Sequence, residues 1–501
     1  MPRHALISAG RTTLIILALV MLLSPFVIAA AFRPNILWII LDDMSPTLSC
    51  YGEKVIKTPS LDRLAREGTR FANAIVTAPV CSPSRSALIT GMYQTTIGAH
   101  NHRSGRGIEK IHLPAGIEPI PLLFQRAGYF TANGGWPAKG KNLGKTDYNF
   151  EWDAKMYDSN DWAGRKPGQP FFAQIQLPGG KLRDGRGLSE AIQKTLGTLT
   201  PPESVNLPPY YPEDPVIRKD WASYLDAARY TDGQVGEILK RLEREKLLEQ
   251  TVIFILGDNG ISVARGKQFL YDEGIKSPLI IRGPGIPKDK VRHDLVEHID
   301  MAASALALAG IPIPKTMQAR DILARDYRPR DAVFAARDRC DETVDGIRAL
   351  RTLQFKYIRN FYPDRPHLQP NVYKDNKPTV TRLRELHAQG KLTGLPEQLL
   401  FISTRAPEEL YDLATDPFET HNLAADPSHR ATLLELRARL DQWMADTRDQ
   451  GRQPEAEKMY DSDMAEYLGG RGGKNVNDSA TANNIRLMKQ WIKEKPLKVN
   501  P

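Results

Sequence analysis

Cysteine is scarce in this chain of 501 residues: it holds only Cys50, Cys81 and Cys340. So small and odd a count excludes a fold built on a disulfide framework. Cys50 and Cys340 could still form one bridge, or both serve as small buried fillers. No lipidation cysteine follows the apolar N-terminus. Internal repeats are absent too, which removes solenoids and propellers from consideration. Beyond the N-terminus no segment is long and apolar enough to span a bilayer, so no stable membrane partner is expected. The chain is not disordered either. Hydrophobic residues make up 41%, enough with this length for one large domain and a smaller companion. The formal charge of +9 reads as an ordinary basic surface that could favour an anionic substrate. Nothing in it points to nucleic acid.

What is present begins with residues 1–31, where Arg3 and Arg11 precede an apolar run from Leu14 to Ile28 and then Ala29, Ala30 and Ala31. This is the layout of a secretory signal, and it predicts a secreted or periplasmic protein. Pro25 and the alanine triplet favour cleavage; without it the segment becomes a membrane anchor.

Asn35 to Leu41 is a continuous apolar run, as expected of a strand buried on both faces of a parallel sheet. It stops at Asp42-Asp43. A helix follows, with Thr58 as N-cap, Pro59 at the first position and Gly68 as terminator. Helical spacing from Trp221 to Leu248 leads into a second buried strand, Thr251 to Leu256, which stops at Asp258-Asn259. Pro170 to Leu177 and Pro278 to Ile281 read as further strands, and Asp300 to Gly310 as a short helix. Residues 178–215 are rich in Gly, Pro and charge and read as a surface insertion. After Ile322 the alternation ends. Ala332–Ala336, Ile347–Arg351, Phe355–Arg359 and Glu409–Leu413 read as strands without intervening helices, and Thr432–Met444 as an amphipathic helix. The expected fold is α/β: a large, mostly parallel sheet flanked by helices, with a smaller C-terminal antiparallel sheet plus helix. The predicted boundaries are 33–325 for a catalytic domain, 326–450 for a C-terminal subdomain and 451–501 for a polar tail carrying a short helix near Ile485–Ile492.

Two buried strands thus end in acids or amides. In open α/β sheets, ligands bind beyond the carboxyl ends of the strands. If these two are neighbours, Asp42, Asp43, Asp258 and Asn259 converge, and three carboxylates repel one another unless a cation lies among them. Hard oxygen donors without histidine select calcium or magnesium over zinc.

The stretch Cys81-Ser82-Pro83-Ser84-Arg85-Ser86-Ala87-Leu88-Ile89-Thr90-Gly91 carries C-x-P-S-R-x-x-L-x-T-G without a break. With PNILWIILDD, RGKQFLYDEG and ELYDLATDPFETHNLA in order, the chain resembles a type I sulfatase of the alkaline-phosphatase superfamily, arylsulfatase-like or heparan N-sulfatase-like, from Arg33 to about Leu423. The resemblance implies that a formylglycine-generating enzyme, reading Pro83 and Arg85, oxidises Cys81 to formylglycine. Its hydrate would attack sulfur with one hydroxyl and expel sulfate with the other. It also implies calcium, with magnesium the weaker candidate, held by Asp42, Asp43, Asp258, Asn259 and the modified Cys81. Arg85 would steady the hydrated aldehyde, and Lys145 and Lys267 would bind the sulfuryl group.

Two departures from the family pattern stand out. Where relatives carry G-K-x-H-L-G, this chain has Gly144-Lys145-Thr146-Asp147, with Gly140-Lys141 as a competing register. A second histidine is expected after the strand Pro170–Leu177, but Pro178-Gly179-Gly180-Lys181 follows. Candidates for the missing proton-transfer residue are His100 and His102, the latter better because it adjoins Arg103-Ser104. The segment Arg337 to Glu342 either lines the pocket mouth or forms a charged turn, and the turn is the expectation. The expected activity is hydrolysis of sulfate esters of a sulfated carbohydrate or an aryl sulfate. A sulfamate hydrolase, a phosphatase or phosphonate hydrolase of the same superfamily, and a non-catalytic binder of sulfated glycans are the alternatives.

Overall fold

The computed structural model describes residues 33–183, 188–469 and 479–497. The segment read as an export signal lies outside the described residues, as does part of the polar tail.

Among the described residues, twelve strands form two sheets. In chain order they are β1 (Asn35–Leu41), β2 (Thr69–Ile75), β3 (Phe130–Gly135), β4 (Phe171–Leu177), β5 (Thr251–Gly257), β6 (Lys276–Ser277), β7 (Leu279–Arg282), β8 (Lys290–Glu297), β9 (Val333–Arg337), β10 (Ile347–Arg351), β11 (Phe355–Asn360) and β12 (Glu408–Asp412). The large sheet runs β3-β4-β1-β5-β7-β2-β6, with β8 beside β2. Its first four strands are mutually parallel. β7 then runs antiparallel to both β5 and β2. The small sheet, β12-β11-β10-β9, is antiparallel throughout.

The apolar runs of β1 and β5 are explained by burial on both faces. From β1, Leu37, Ile39 and Leu41 face a core shared with Leu225, Val235, Ile238 and Leu242 of the long helix Pro215–Arg244. The alternate residues Ile36, Trp38 and Ile40 face a second core with Met301, Ala302 and Leu306 of the helix Asp300–Leu308. A third core joins Leu433, Leu436, Leu440 and Trp443 of the helix Arg430–Asp446 to Leu350 and Tyr357 of the small sheet.

Several expectations need correction. The long helix starts at Pro215, six residues before Trp221, because Asp214 caps it by accepting from Val216 N. It ends before Leu248 because Lys246 takes a left-handed φ of 58°. Thr58 does not cap the helix Pro59–Glu67. Its hydroxyl engages Ser49, and the Asp232 carboxylate accepts from the amides of Ser60 and Leu61 instead. The stretch after β4 is not all surface: Gly179, Gly180 and Arg183 are buried, and Arg183 donates to Asp220 at 2.6 Å. All three cysteines are free, so the Cys50–Cys340 bridge is not formed. Arg337–Glu342 does contain the expected charged turn, at Asp341-Glu342, closed by Cys340 and Thr343 exchanging hydrogen bonds at 2.9 and 3.0 Å, but it is a buried one.

Candidate active site

The registers of the parallel strands bring the site together. Leu41 lies opposite both Leu177 and Gly257, so β1, β4 and β5 end level and their following residues share one rim. Asp43 N donates to Asp258 Oδ1 at 3.1 Å, and Asn259 Nδ2 to Asp43 Oδ1 at 2.9 Å. After β4 the chain passes directly over the Asp42-Asp43 backbone. A Cβ on Gly179, whose φ is 52°, would lie 2.3 Å from the Asp42 carbonyl oxygen, and one on Gly180 the same distance from that of Asp43. No side chain fits at either glycine. Lys181 comes next, with Nζ 3.9 Å from Asp42 Oδ2.

Cys81 opens the helix Cys81–Thr90, all ten residues of which are buried. Pro83 sits in the first turn, where no amide donor is missed. Gly91 closes the helix at φ 64°, its N–H reaching Ala87 O. The Cys81 Sγ is 3.4 Å from Asp42 Oδ1 and 3.8 Å from Asp43 Oδ1. Burial and the charge of Asp258 push its thiol up to about 12. As a thiol, Cys81 is therefore a protonated and poor nucleophile.

A histidine absent from the expectations braces this helix. His298 Nδ1 accepts from Thr77 N at 3.1 Å, so the proton is assigned to Nε2, which donates to Ser84 O at 2.9 Å. Ser84 in turn reaches the Asp258 carbonyl. Burial lowers His298 to about 4, keeping it neutral.

Four cations surround the acids. Arg85 Nε donates to Asp258 Oδ2 at 2.8 Å and Nη1 to Gln176 Oε1 at 2.6 Å. Lys145 Nζ holds both oxygens of Asp42, at 3.0 and 2.8 Å, which settles the register against the exposed Lys141. Lys267 Nζ lies 2.6 Å from Asp43 Oδ1 and 3.0 Å from Cys81 Sγ. Burial disfavours the charge of Asp42, yet Lys145, Arg85, Lys181 and Lys267 together hold its carboxyl well below the usual range. Asp43, opposed by burial but paired with Lys267, sits at about 2.

Two neighbours of Lys267 come from a segment that carried no recognised motif. The Tyr373 hydroxyl lies 3.3 Å from Asp43 Oδ2 and 3.4 Å from Lys267 Nζ. Lys374, fully enclosed, donates to the carbonyls of Val263, Ala264 and Lys267 at 2.8, 3.2 and 2.8 Å. It pins the loop that presents Lys267.

The two histidine candidates part company. His100 is half-buried, with Asp449, Arg348, Glu455 and Arg339 as its charged neighbours, and has no part in the Cys81 cluster. His102 lies against the nucleophile helix, Nδ1 2.8 Å from Ser82 Oγ. Because Ser82 Oγ already accepts from Arg103 N at 2.8 Å, its proton is assigned toward Nδ1. The neutral ring then carries its proton on Nε2, 3.5 Å from Asp341 Oδ1. Asp147, where the family carries histidine, is no proton donor. Against the pull of burial, Lys145 and Arg106 hold it far below the usual carboxylate range, with Arg106 Nη2 at 2.5 Å. Backbone strain gathers here: Asp43, Arg103, Asp147, Gln268 and Asp341 adopt φ of 54°, 57°, 58°, 78° and 53°. Side chains held in that region mark sites where surrounding structure fixes a costly geometry.

The cluster suits a hard divalent cation. One ligand atom each from Asp42, Asp43, Cys81 and Asp258 lie within 4.8 Å of one another, and Asn259 Oδ1 is buried without a hydrogen-bond partner. Carboxylate and amide oxygens with no histidine match calcium or magnesium chemistry.

Known proteins resemble this chain over most of its length. The family model described as Sulfatase matches residues 34–311, and that described as N-sulphoglucosamine sulphohydrolase, C-terminal, matches 264–376. An ulvan-active sulfatase of Formosa agariphila is 34% identical over 471 residues, spanning 85% of this chain and 77% of that protein. Human N-sulphoglucosamine sulphohydrolase is 28% identical, over 83% of this chain and 91% of its own. Among solved structures, the phosphonate monoester hydrolase of Agrobacterium radiobacter shares the fold, with a TM-score of 0.61, 17% identity and coverage of 85% and 99%.

Proposed function

The chain belongs to the sulfatase family and is a sulfuric ester hydrolase, and from that premise we propose that its substrate is a sulfated carbohydrate, cleaved through a formylglycine made from Cys81 beside a calcium ion. The observation that carries this reading is the placement of Cys81 Sγ, 3.4 Å from Asp42 Oδ1 and 3.0 Å from Lys267 Nζ. A thiol raised by burial to about 12, against the pull of Lys145 and Lys267, does not exploit that company as a nucleophile. An aldehyde at the same carbon does. The hydrated formylglycine supplies both an attacking hydroxyl and a second one that lets sulfate leave. Asp42, Asp43, Asp258, Asn259 and residue 81 would hold calcium, which would supply Lewis-acid polarisation of a sulfate oxygen.

The remaining residues act by charge and position. Lys145, Lys267 and Lys181 offset the negative charge that builds on the sulfuryl oxygens. Arg85, fixed by Asp258 and Gln176, orients residue 81. Burial lowers His102 to about 3, but Asp341, 3.5 Å from Nε2, favours its imidazolium, which is the proton donor to the departing sugar oxygen and becomes the neutral ring as it gives up that proton. Replacing His102 by Ala should lower kcat on a sugar sulfate by ~10²–10⁴ and act far less on an aryl sulfate, whose leaving group needs no proton. Equal losses on both substrates would remove His102 from that role.

Pro83 and Arg85 are buried in the folded chain. The maturing enzyme therefore has to read them before folding. The charged-then-apolar N-terminus supports export to a secreted or periplasmic location, which cell fractionation tests.

The C-terminal match to the sulfamate-cleaving relative favours one second reading, hydrolysis of an N-sulfate. Sulfate release from ulvan oligosaccharides, N-sulfated glucosamine and an aryl sulfate separates the two. Release from the ester substrates is the expected outcome, and release from N-sulfated glucosamine alone would replace it.

A further inference from the structure

A groove of about 890 Å³ opens beside the site, lined among others by Arg106, Lys110, Asp147, Glu151, Trp152 and Asp153. Asp147 is its inner end. That side chain meets Arg106 at 2.5 Å and Lys145 at 3.7 Å, and Lys145 holds Asp42, the neighbour of Cys81. The reaction centre and the groove are thus joined by an unbroken run of contacts.

The groove's walls have the chemistry of a saccharide-binding surface. Trp152 is half-buried, its indole set edge-on against Tyr148 (79°) and Tyr157 (77°), with Phe150 stacked on Tyr148 behind it. Contacts on two sides fix the ring before any ligand arrives, so little freedom is lost on binding. Around it stand both signs of charge and few apolar side chains. Lys110 and Glu151 are exposed, and Lys110 Nζ donates only weakly, to Arg106 O at 3.3 Å. An apolar ligand would find one aromatic face and a polar rim. A sugar presents apolar C–H faces and hydroxyls together. Ligand pockets run to roughly 300–1,000 Å³, so this volume holds more than one ring. The floor is firm as well. Asn149 Nδ2 donates to Ala99 O and Asn101 O, tying the groove to the loop of His102. From the other side Ser462 reaches Glu109 N, and Asp463 reaches Arg106 N.

We propose that this groove holds the sugar residue next to the sulfated one, with Trp152 as its stacking platform and Lys110 facing an anionic substituent, so that the enzyme is selective for sulfated oligosaccharides over single sugars and aryl sulfates. The proposal rests on the sulfated-carbohydrate reading above and sharpens it. Trp152 is a specificity residue, not a catalytic one.

The test compares Trp152→Ala, Trp152→Phe and Lys110→Glu with the unaltered enzyme on two sulfated tetrasaccharides, one from ulvan and one from heparan sulfate, and on an aryl sulfate. On the tetrasaccharide that is cleaved, Trp152→Ala should lower the ratio of tetrasaccharide to aryl-sulfate kcat/KM about tenfold, mostly through KM, as loss of one aromatic contact predicts. Trp152→Phe should recover most of that ratio, and Lys110→Glu should lower it severalfold. A ratio unchanged in Trp152→Ala overturns the proposal, as does a fall shared equally by both substrate types. Binding of both tetrasaccharides to Cys81→Ala protein is measured by calorimetry alongside. Cleavage of aryl sulfate with neither tetrasaccharide cleaved or bound would overturn the groove and leave the sulfatase reading standing. If nothing is cleaved, that reading falls, and weaker binding in Trp152→Ala still decides the groove.

Discussion

The rim of the large sheet and the small antiparallel sheet both bury many charges, and they do it in opposite ways. Around the small sheet, acids alternate with cations. Asp345 lies between Arg405, which it meets at 2.7 and 3.0 Å, and Arg337 at 3.1 Å. Arg348 holds Asp449 through two nitrogens. Asp272 sits between Arg351 at 2.9 Å and Lys356 at 2.6 Å. At the rim, Asp42, Asp43 and Asp258 instead face one another, and the cations stand outside them. Alternation closes a network, whereas convergence leaves room at its centre for an ion. Buried charge alone therefore does not mark a function. Its arrangement does.

Removing Asp345 breaks the closed network most severely. Asp345→Ala should cost about 3–5 kcal/mol, because two arginines lose their buried partner. Unfolding in denaturant reads this, with kcat on aryl sulfate little changed. A cost below ~1 kcal/mol would mean that the network behaves as if it were on the surface.

The open cluster should respond to calcium where the closed one does not. Calcium at a hundredfold excess over its Kd should stabilise the folded state by about 2.7 kcal/mol, visible as a rise in thermal midpoint that a chelator reverses. Asp258→Asn should lose most of that rise while keeping the calcium-free midpoint. An undiminished rise in the variant would put the ion elsewhere.

A smaller effect isolates the brace behind Cys81. His298 is held at about 4, below its ordinary 6.5, by burial. Its contribution to stability is therefore full above pH 6.5 and is lost as the pH falls toward 4, while the unfolded chain takes up the proton. Across that window His298→Gln should make stability less steep with pH by up to about 1.4 kcal/mol per unit. An identical slope would show that His298 ionises freely in the fold.

How much of this was legible in the sequence follows from what each residue's neighbours are. β1, β4 and β5 announce themselves because burial on both faces demands unbroken apolar runs. β3 (FTANGG) and β8 (KVRHDLVE) do not: the first is short, with two glycines and an asparagine, and the second keeps its first half exposed. The metal-ligand candidates were visible because they terminate the readable strands. Lys374, Tyr373 and His298 were not, since each enters from a distant segment and acquires its meaning from what it touches. Lys374 in particular would pass for a surface lysine until its three carbonyl partners are seen. The departures from the family pattern were legible as gaps at Asp147 and after β4, but the close backbone approach after β4 was not. Gly180 is required because the Asp43 backbone leaves no room for a side chain.

The central claim is that residue 81 works as an aldehyde. Trypsin should release Phe71–Arg85 from the mature protein, since no lysine or arginine lies between Arg70 and Arg85. Mass spectrometry of that peptide from active enzyme should show the thiol's sulfur replaced by a carbonyl oxygen, with the product captured by a hydrazide. Fully active enzyme whose peptide carries only unmodified cysteine would contradict the account.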